Sequence, residues 1–283
     1  MFNLSYFENE AVDIAIDISG KRYSDGGMMW EELSKITGID LATLMAYDDW
    51  YILDDGLYYF KYMYKIEELF ISEVAHECKV RCVEFLLALD DGCFGIISKL
   101  YREKDKRYYM YSDFCQKYFG SIKNDLSFFK LALSVKFGEE KTNKLMDDVF
   151  SIISFDMFCG QYDRMEYNLF FECDNNNNVR IAPLCDNGVS FDTRFIYDSP
   201  FGEFNLNEKN VSRGSLPFIL SIEKIFYNKM AKYLDINVSD ILDRTCEKYK
   251  INIDQSDKKM LLGYFDDRKR AIERTLKLSR DYR

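Results

Sequence analysis

Three side chains in the stretch Gly160–Gly188, "GQYDRMEYNLFFECDNNNNVRIAPLCDNG", have the types and spacing to do chemistry together: Asp163, Asn168 and Asp186. Two carboxylates and an amide make an oxygen-rich site, and hard divalent cations take such oxygens as ligands. Asp and Asn in loops are usually turn formers and helix caps, so no one of the three says much alone. Together they match what phosphoryl transfer asks for. One carboxylate orients or deprotonates an acceptor hydroxyl, while an Asn and a second Asp hold Mg²⁺ on nucleotide phosphates. Most nucleophilic hydrolases are excluded, because His76 is the only histidine and no Ser-His-Asp or Cys-His set can be built without it.

The elements that must position these residues can be read from periodicity. A helix over 141–158 ends near Gly160, and a loop then delivers Asp163. "NLFFEC", the turn "DNNNN" and "VRIAPL" form a hairpin whose two ends bring Asn168 and Asp186 within reach of one ion. Upstream, "VDIAIDI" (12–18) alternates like a half-buried strand, and "SGKRYSDGG" is loop. One or two short helices follow over 28–47. "YIL" and "LYYFKY" around "DDG" make a hairpin, 66–78 is an amphipathic helix, and 82–89 with 93–100 make a second hairpin. Beyond residue 107 helices dominate, at 127–137, 141–158, 216–234, 238–249 and 258–279. The expected fold class is therefore α+β with two lobes, a small sheet-rich one over 1–107 and a larger helical one over 108–283. Their boundary falls near 104–112, and a cleft between lobes is where small-molecule sites form.

Composition narrows the partners. The 283 residues are 47% hydrophobic, 30% charged and 16% aromatic, enough for a sizeable core, and the formal net charge is −10. Neutralising a nucleic-acid backbone needs a basic face, so no nucleic-acid or anionic-membrane partner is expected. No apolar run reaches the roughly 18 residues of a membrane span, and no secretory leader pattern is visible. Eight cysteines without paired spacing read as reduced thiols in a cytoplasmic protein. No C-x-x-C occurs, and Cys78 with Cys82 near His76 is a weak zinc pattern at best.

The segment "FDMFCGQYDRMEYNLFFECDNNNNVRIAPLCDNGVSF" resembles the catalytic segment of HipA-like protein kinases and their smaller CtkA-like relatives, where a "GNxDRHxxN" loop is followed by "laPlyDng". The resemblance implies a protein-kinase-like fold, with ATP and Mg²⁺ as cofactors. It makes Asp163 the catalytic base, with Asn168 and Asp186 as metal ligands. "LYYFKY" resembles the strand that carries the nucleotide-binding lysine, which assigns Lys61 to the α- and β-phosphates. "ELFISEVAHECKV" resembles the helix that offers that lysine a partner, assigned to Glu73, although Glu68 and Glu77 lie on the same helix and could substitute. The family His after Asp-Arg is replaced by Met165. No clear glycine-rich loop is present; Ser24, Gly26 and Gly27 are the candidates for covering the phosphates through backbone N–H groups. The implied function is serine/threonine phosphorylation of a protein substrate or of the chain itself. A nucleotide-binding pseudokinase and a lipid or small-molecule kinase are the rival readings, and a toxin–antitoxin role is an implication of the family alone.

Overall fold

The structure, a computed structural model, describes residues 9–21, 50–53, 56–62, 67–99, 106–121, 126–161, 169–185 and 229–281. A short helix α1 (Asn9–Asp13) and a two-residue strand β1 (Ile16–Asp17) precede the hairpin β2 (Trp50–Leu53) and β3 (Gly56–Tyr62). Helix α2 (Glu67–Glu77) and a second hairpin, β4 (Phe85–Asp90) and β5 (Cys93–Lys99), follow. These strands form one sheet in the order β1-β4-β5-β3-β2, antiparallel except where β1 runs parallel to β4.

Alternation along the strands divides the apolar side chains between two faces. Tyr58, Phe60, Ala88 and Ile97 join Ile18 and Tyr51 in a small core on one face. Phe85, Leu87 and Ile96 face the other way, into a large core that also holds Leu69, Phe70, Ile71 and Val74 of α2.

A second sheet, β6 (Arg107–Met110), β7 (Phe170–Cys173) and β8 (Val179–Ile181), is antiparallel in that order. Around it lie α3 (Tyr111–Phe119), α4 (Leu126–Phe137) and the 21-residue α5 (Glu139–Cys159). A 3₁₀ turn (Lys232–Asp235), α6 (Val238–Tyr249) and α7 (Gln255–Asp281) complete the helical part. Tyr111, Phe114, Phe129, Phe137 and Phe171 pack edge to face or tilted, which is where much of the aromatic content goes. None of the eight cysteines is in a disulfide.

One expectation needs correction. The stretch 12–18 is not one strand. Val12 and Ile14 are 48% and 46% exposed while Ala11 is fully buried, so its first half forms the end of α1, and only Ile16 and Asp17 pair with β4. The stretch 106–112, at the expected lobe boundary, carries secondary structure. Its tyrosines build β6, which pairs with β7, and α3 starts directly from it. The helices expected over 28–47, and most of 216–234, lie outside the described residues.

Candidate active site

Lys61 sits one residue from Phe60 on β3, so it points to the opposite face of the sheet, the one covered by α2. Its cross-strand partner is Ile96, a member of the large core. From there Nζ reaches Oε1 of Glu68 at 3.0 Å. The pair is asymmetric: the lysine side chain is 25% exposed and the glutamate side chain 8%. Glu68 lies in the first turn of α2, where the helix dipole favours a negative charge. A carboxylate this withdrawn from water is costly without a cation beside it, and Lys61 supplies one while keeping a side open toward solvent.

Glu73 is not the partner of Lys61. Five residues separate it from Glu68, which is about 140° around a helix of 3.6 residues per turn, and that turns it away from β3. Its Oε1 accepts from Lys248 Nζ at 2.7 Å, and the Tyr249 hydroxyl lies 3.1 Å from the same oxygen. Burial, followed by the Glu73 charge, pushes the Tyr249 hydroxyl well above its ordinary range. Sequence alone ranked Glu73 above Glu68 because it did not fix which side of the helix faces β3. The available signal was a matching interval: Glu73 and Glu77 are four apart, as are Arg244 and Lys248.

Asp163, Asn168, Asp186, Ser24, Gly26 and Gly27 lie outside the described residues. The residues flanking the first three are well held. Helix α5 ends at Gly160, whose φ of 65° and N–H bond to the Asp156 carbonyl terminate it in the left-handed conformation. Gln161, buried, also donates its N–H to Asp156. On the far side of Asp163 in the sequence, the buried Leu169 accepts from the Tyr111 N–H.

The hairpin register pairs Phe171 with Ile181, and the Ala182 N–H bonds to the Phe170 carbonyl. The strand ends leading to Asn168 and to Asp186 therefore emerge at the same end of the hairpin. Leu184, two residues before Asp186, is bridged in parallel to Cys82. Its N–H donates to Arg81 and its carbonyl accepts from Val83. The segment leaving α2 is thus stitched to the segment that leads to Asp186. Among the described residues no cluster of His, Cys, Asp or Glu could hold a metal ion. The half of the site that is described offers instead a held ammonium, suited to a polyphosphate.

No family model matches the sequence, and no curated protein does. Solved structures do. The chain is similar to the Helicobacter pylori proinflammatory kinase CtkA, with a TM-score of 0.62 at 16% identity, covering 81% of this chain and 94% of that one. It also matches the Shewanella oneidensis toxin–antitoxin protein HipA, in a complex with HipB and operator DNA, with a TM-score of 0.44 at 12% identity, over 77% of this chain and 57% of that one. The chain has the mixed α+β fold of the kinase CtkA.

Proposed function

We propose that the protein is an ATP-dependent serine/threonine protein kinase, acting on a protein substrate or on itself. The observation that carries this reading is the Lys61–Glu68 pair between a strand and the following helix. It lies upstream of the Asp163–Asn168–Asp186 segment, in a chain with the fold of a kinase. In the reaction Lys61 binds the α- and β-phosphates, and Glu68 fixes the ammonium in place and balances its charge when the phosphates leave. Asp163 orients the acceptor hydroxyl and accepts its proton. The hydroxyl oxygen forms the new bond to the γ-phosphorus as the bond from that phosphorus to the β–γ bridging oxygen breaks, and ADP departs. Asn168 and Asp186 are the residues that would hold Mg²⁺, which neutralises charge on the phosphates when bound.

The test is incorporation of labelled γ-phosphate from ATP with Mg²⁺, comparing wild type with Asp163→Ala and Asp186→Asn. Label on the protein or on a generic Ser/Thr substrate, lost in both variants, is the expected result. Label that persists in Asp163→Ala at the wild-type rate sinks the assignment.

A further inference from the structure

The face of α2 turned away from Lys61 is occupied by the carboxyl-terminal helices. Glu73 and Glu77 stand four apart on α2, and Lys248 and Arg244 four apart on α6. The pairs close in antiparallel order, Lys248 Nζ on Glu73 at 2.7 Å and Arg244 Nη2 on Glu77 at 3.0 Å. The Tyr249 hydroxyl, on a side chain only 3% exposed, lies 3.1 Å from both Glu73 Oε1 and the Phe85 carbonyl of β4. The end of α2 is met as well, by Lys232 Nζ at 3.5 Å from the Cys78 carbonyl. From α7, Phe265 stands edge-on to Phe70 of α2 with centroids 5.9 Å apart, and 5.0 Å from Phe158 near the end of α5. Phe158 in turn stacks on Tyr233 at 4.8 Å. One column of rings therefore runs from α2 to the last turn of α5, the element that precedes Asp163 in the sequence.

From this arrangement we infer that α6 and α7 act as a built-in activating partner, clasping α2 so that Glu68 stays on Lys61, with Lys248, Tyr249 and Phe265 as positioning residues. The inference rests on the kinase reading. An 11-residue helix is marginal by itself, so its orientation is set by what packs on it. A rotation of one residue, about 100°, would carry Glu68 off the lysine. The two salt-bridged positions are part-exposed, Glu73 at 20% and Lys248 at 39% for the side chains. Each ion pair alone is therefore worth little, and the clasp works through several contacts on one rigid element. A shift in the equilibrium between held and released α2 appears at Lys61 only to the extent that the contacts differ between the two states.

The test uses the full chain in five forms: wild type, Lys248→Ala, Lys248→Arg, Glu68→Gln and the pair Lys248→Ala/Glu68→Gln, with Glu68→Gln as the reference for the last. Amide hydrogen exchange across 67–77 and Mg-ATP affinity by calorimetry are read on each. Lys248→Ala is expected to speed exchange in α2 and weaken Mg-ATP binding about two- to fivefold, the range open to a part-exposed ion pair. Lys248→Arg restores both. With Glu68 already changed to Gln, Lys248→Ala no longer alters affinity, a non-additivity that a general loss of stability would not produce. Unchanged exchange in α2 overturns the clasp whatever the nucleotide does. An equal affinity loss in both backgrounds overturns the positioning role. Faster exchange in a protein whose wild type binds no Mg-ATP overturns the kinase reading and the positioning role with it, and leaves only helix packing.

Discussion

A lysine with a quarter of its side chain in solvent, beside a carboxylate almost wholly withdrawn from it, gives the two partners different tasks. Lys61 can turn its charge to a ligand, and Glu68, from its buried position, holds the ammonium. Lys61→Met is therefore expected to weaken Mg-ATP binding by more than about tenfold, since truncating one partner of a buried charged contact typically costs about 2–5 kcal/mol. Glu68→Gln should weaken it by about tenfold while the unfolding midpoint falls only modestly, because the lysine it leaves without a counter-charge is a quarter exposed and water screens it. Calorimetry and a melting curve on the same samples separate the two effects, and a large drop in midpoint with intact affinity would reverse the assignment. The neighbouring Gly95 tests the same strand by sterics. A Cβ there would overlap the Phe60 ring and the Lys61 carbonyl, so Gly95→Ala has to displace backbone beside Lys61. A loss of about 1–3 kcal/mol is expected from overpacking of this kind, measured by denaturant titration.

Among the elements, α5 matters for where it stops. Gly160 combines a positive φ with a close approach from α7: a Cβ would run into the Tyr264 hydroxyl, which itself accepts from Arg268 Nε at 2.8 Å. Gly160→Ala is expected to lose about 2–4 kcal/mol, the left-handed backbone contributing about 1–2 of it. On the kinase reading, phosphate transfer should fall as well, since Asp163 follows Gly160 closely in the sequence. The turn between β7 and β8 carries a pH signal. Asp174 accepts from the Asn178 side chain and from the N–H groups of Asn178 and Asn176, and these bonds hold its carboxyl below the usual 3.8. A folded value below the unfolded one means the turn is held above about pH 4 and loosens as pH falls through the folded value. Hydrogen exchange across 170–181 should show that step in wild type and not in Asp174→Ala. Among the described residues the three hairpins and most helices were legible from periods of 2 and 3.6, as in the near coincidence of 66–78 with Glu67–Glu77. Helix α3 was not, because tyrosines that read as a polar boundary are half-buried in β6 at its entrance. Nor was the choice of Glu68, since Glu73 is taken up by Lys248, 175 residues further along the chain.

Across the whole molecule the sheet and the helical part are joined by a buried charge as well as by backbone. Glu172 on β7, with a side chain 2% exposed, receives Arg81 at 3.0 Å, Lys106 at 3.8 Å and Arg180 from β8. Arg81 belongs to the segment leaving α2, and its Nη1 also donates to the Ile181 carbonyl at 2.7 Å. The carboxylate therefore ties the sheet side of the molecule to the hairpin that leads to Asp186. Removing its charge leaves cations gathered around an amide, whereas removing Arg81 leaves Lys106 and Arg180 in place. Arg81 and Arg180 are 42% and 51% exposed in their side chains, so water recovers part of what each loses. Glu172→Gln should accordingly cost about 2–3 kcal/mol, below the full penalty of a broken buried pair. Arg81→Met should cost about 1 kcal/mol or less. The double variant should fall short of their sum by at least about 0.5 kcal/mol, the mark of two residues that share one interaction. Denaturant titration of the four proteins measures this coupling. Strict additivity would mean that Glu172 serves β8 and Lys106 alone, and that only the backbone bonds at Leu184 and the Arg81 bond to Ile181 hold the segment after α2 to the hairpin.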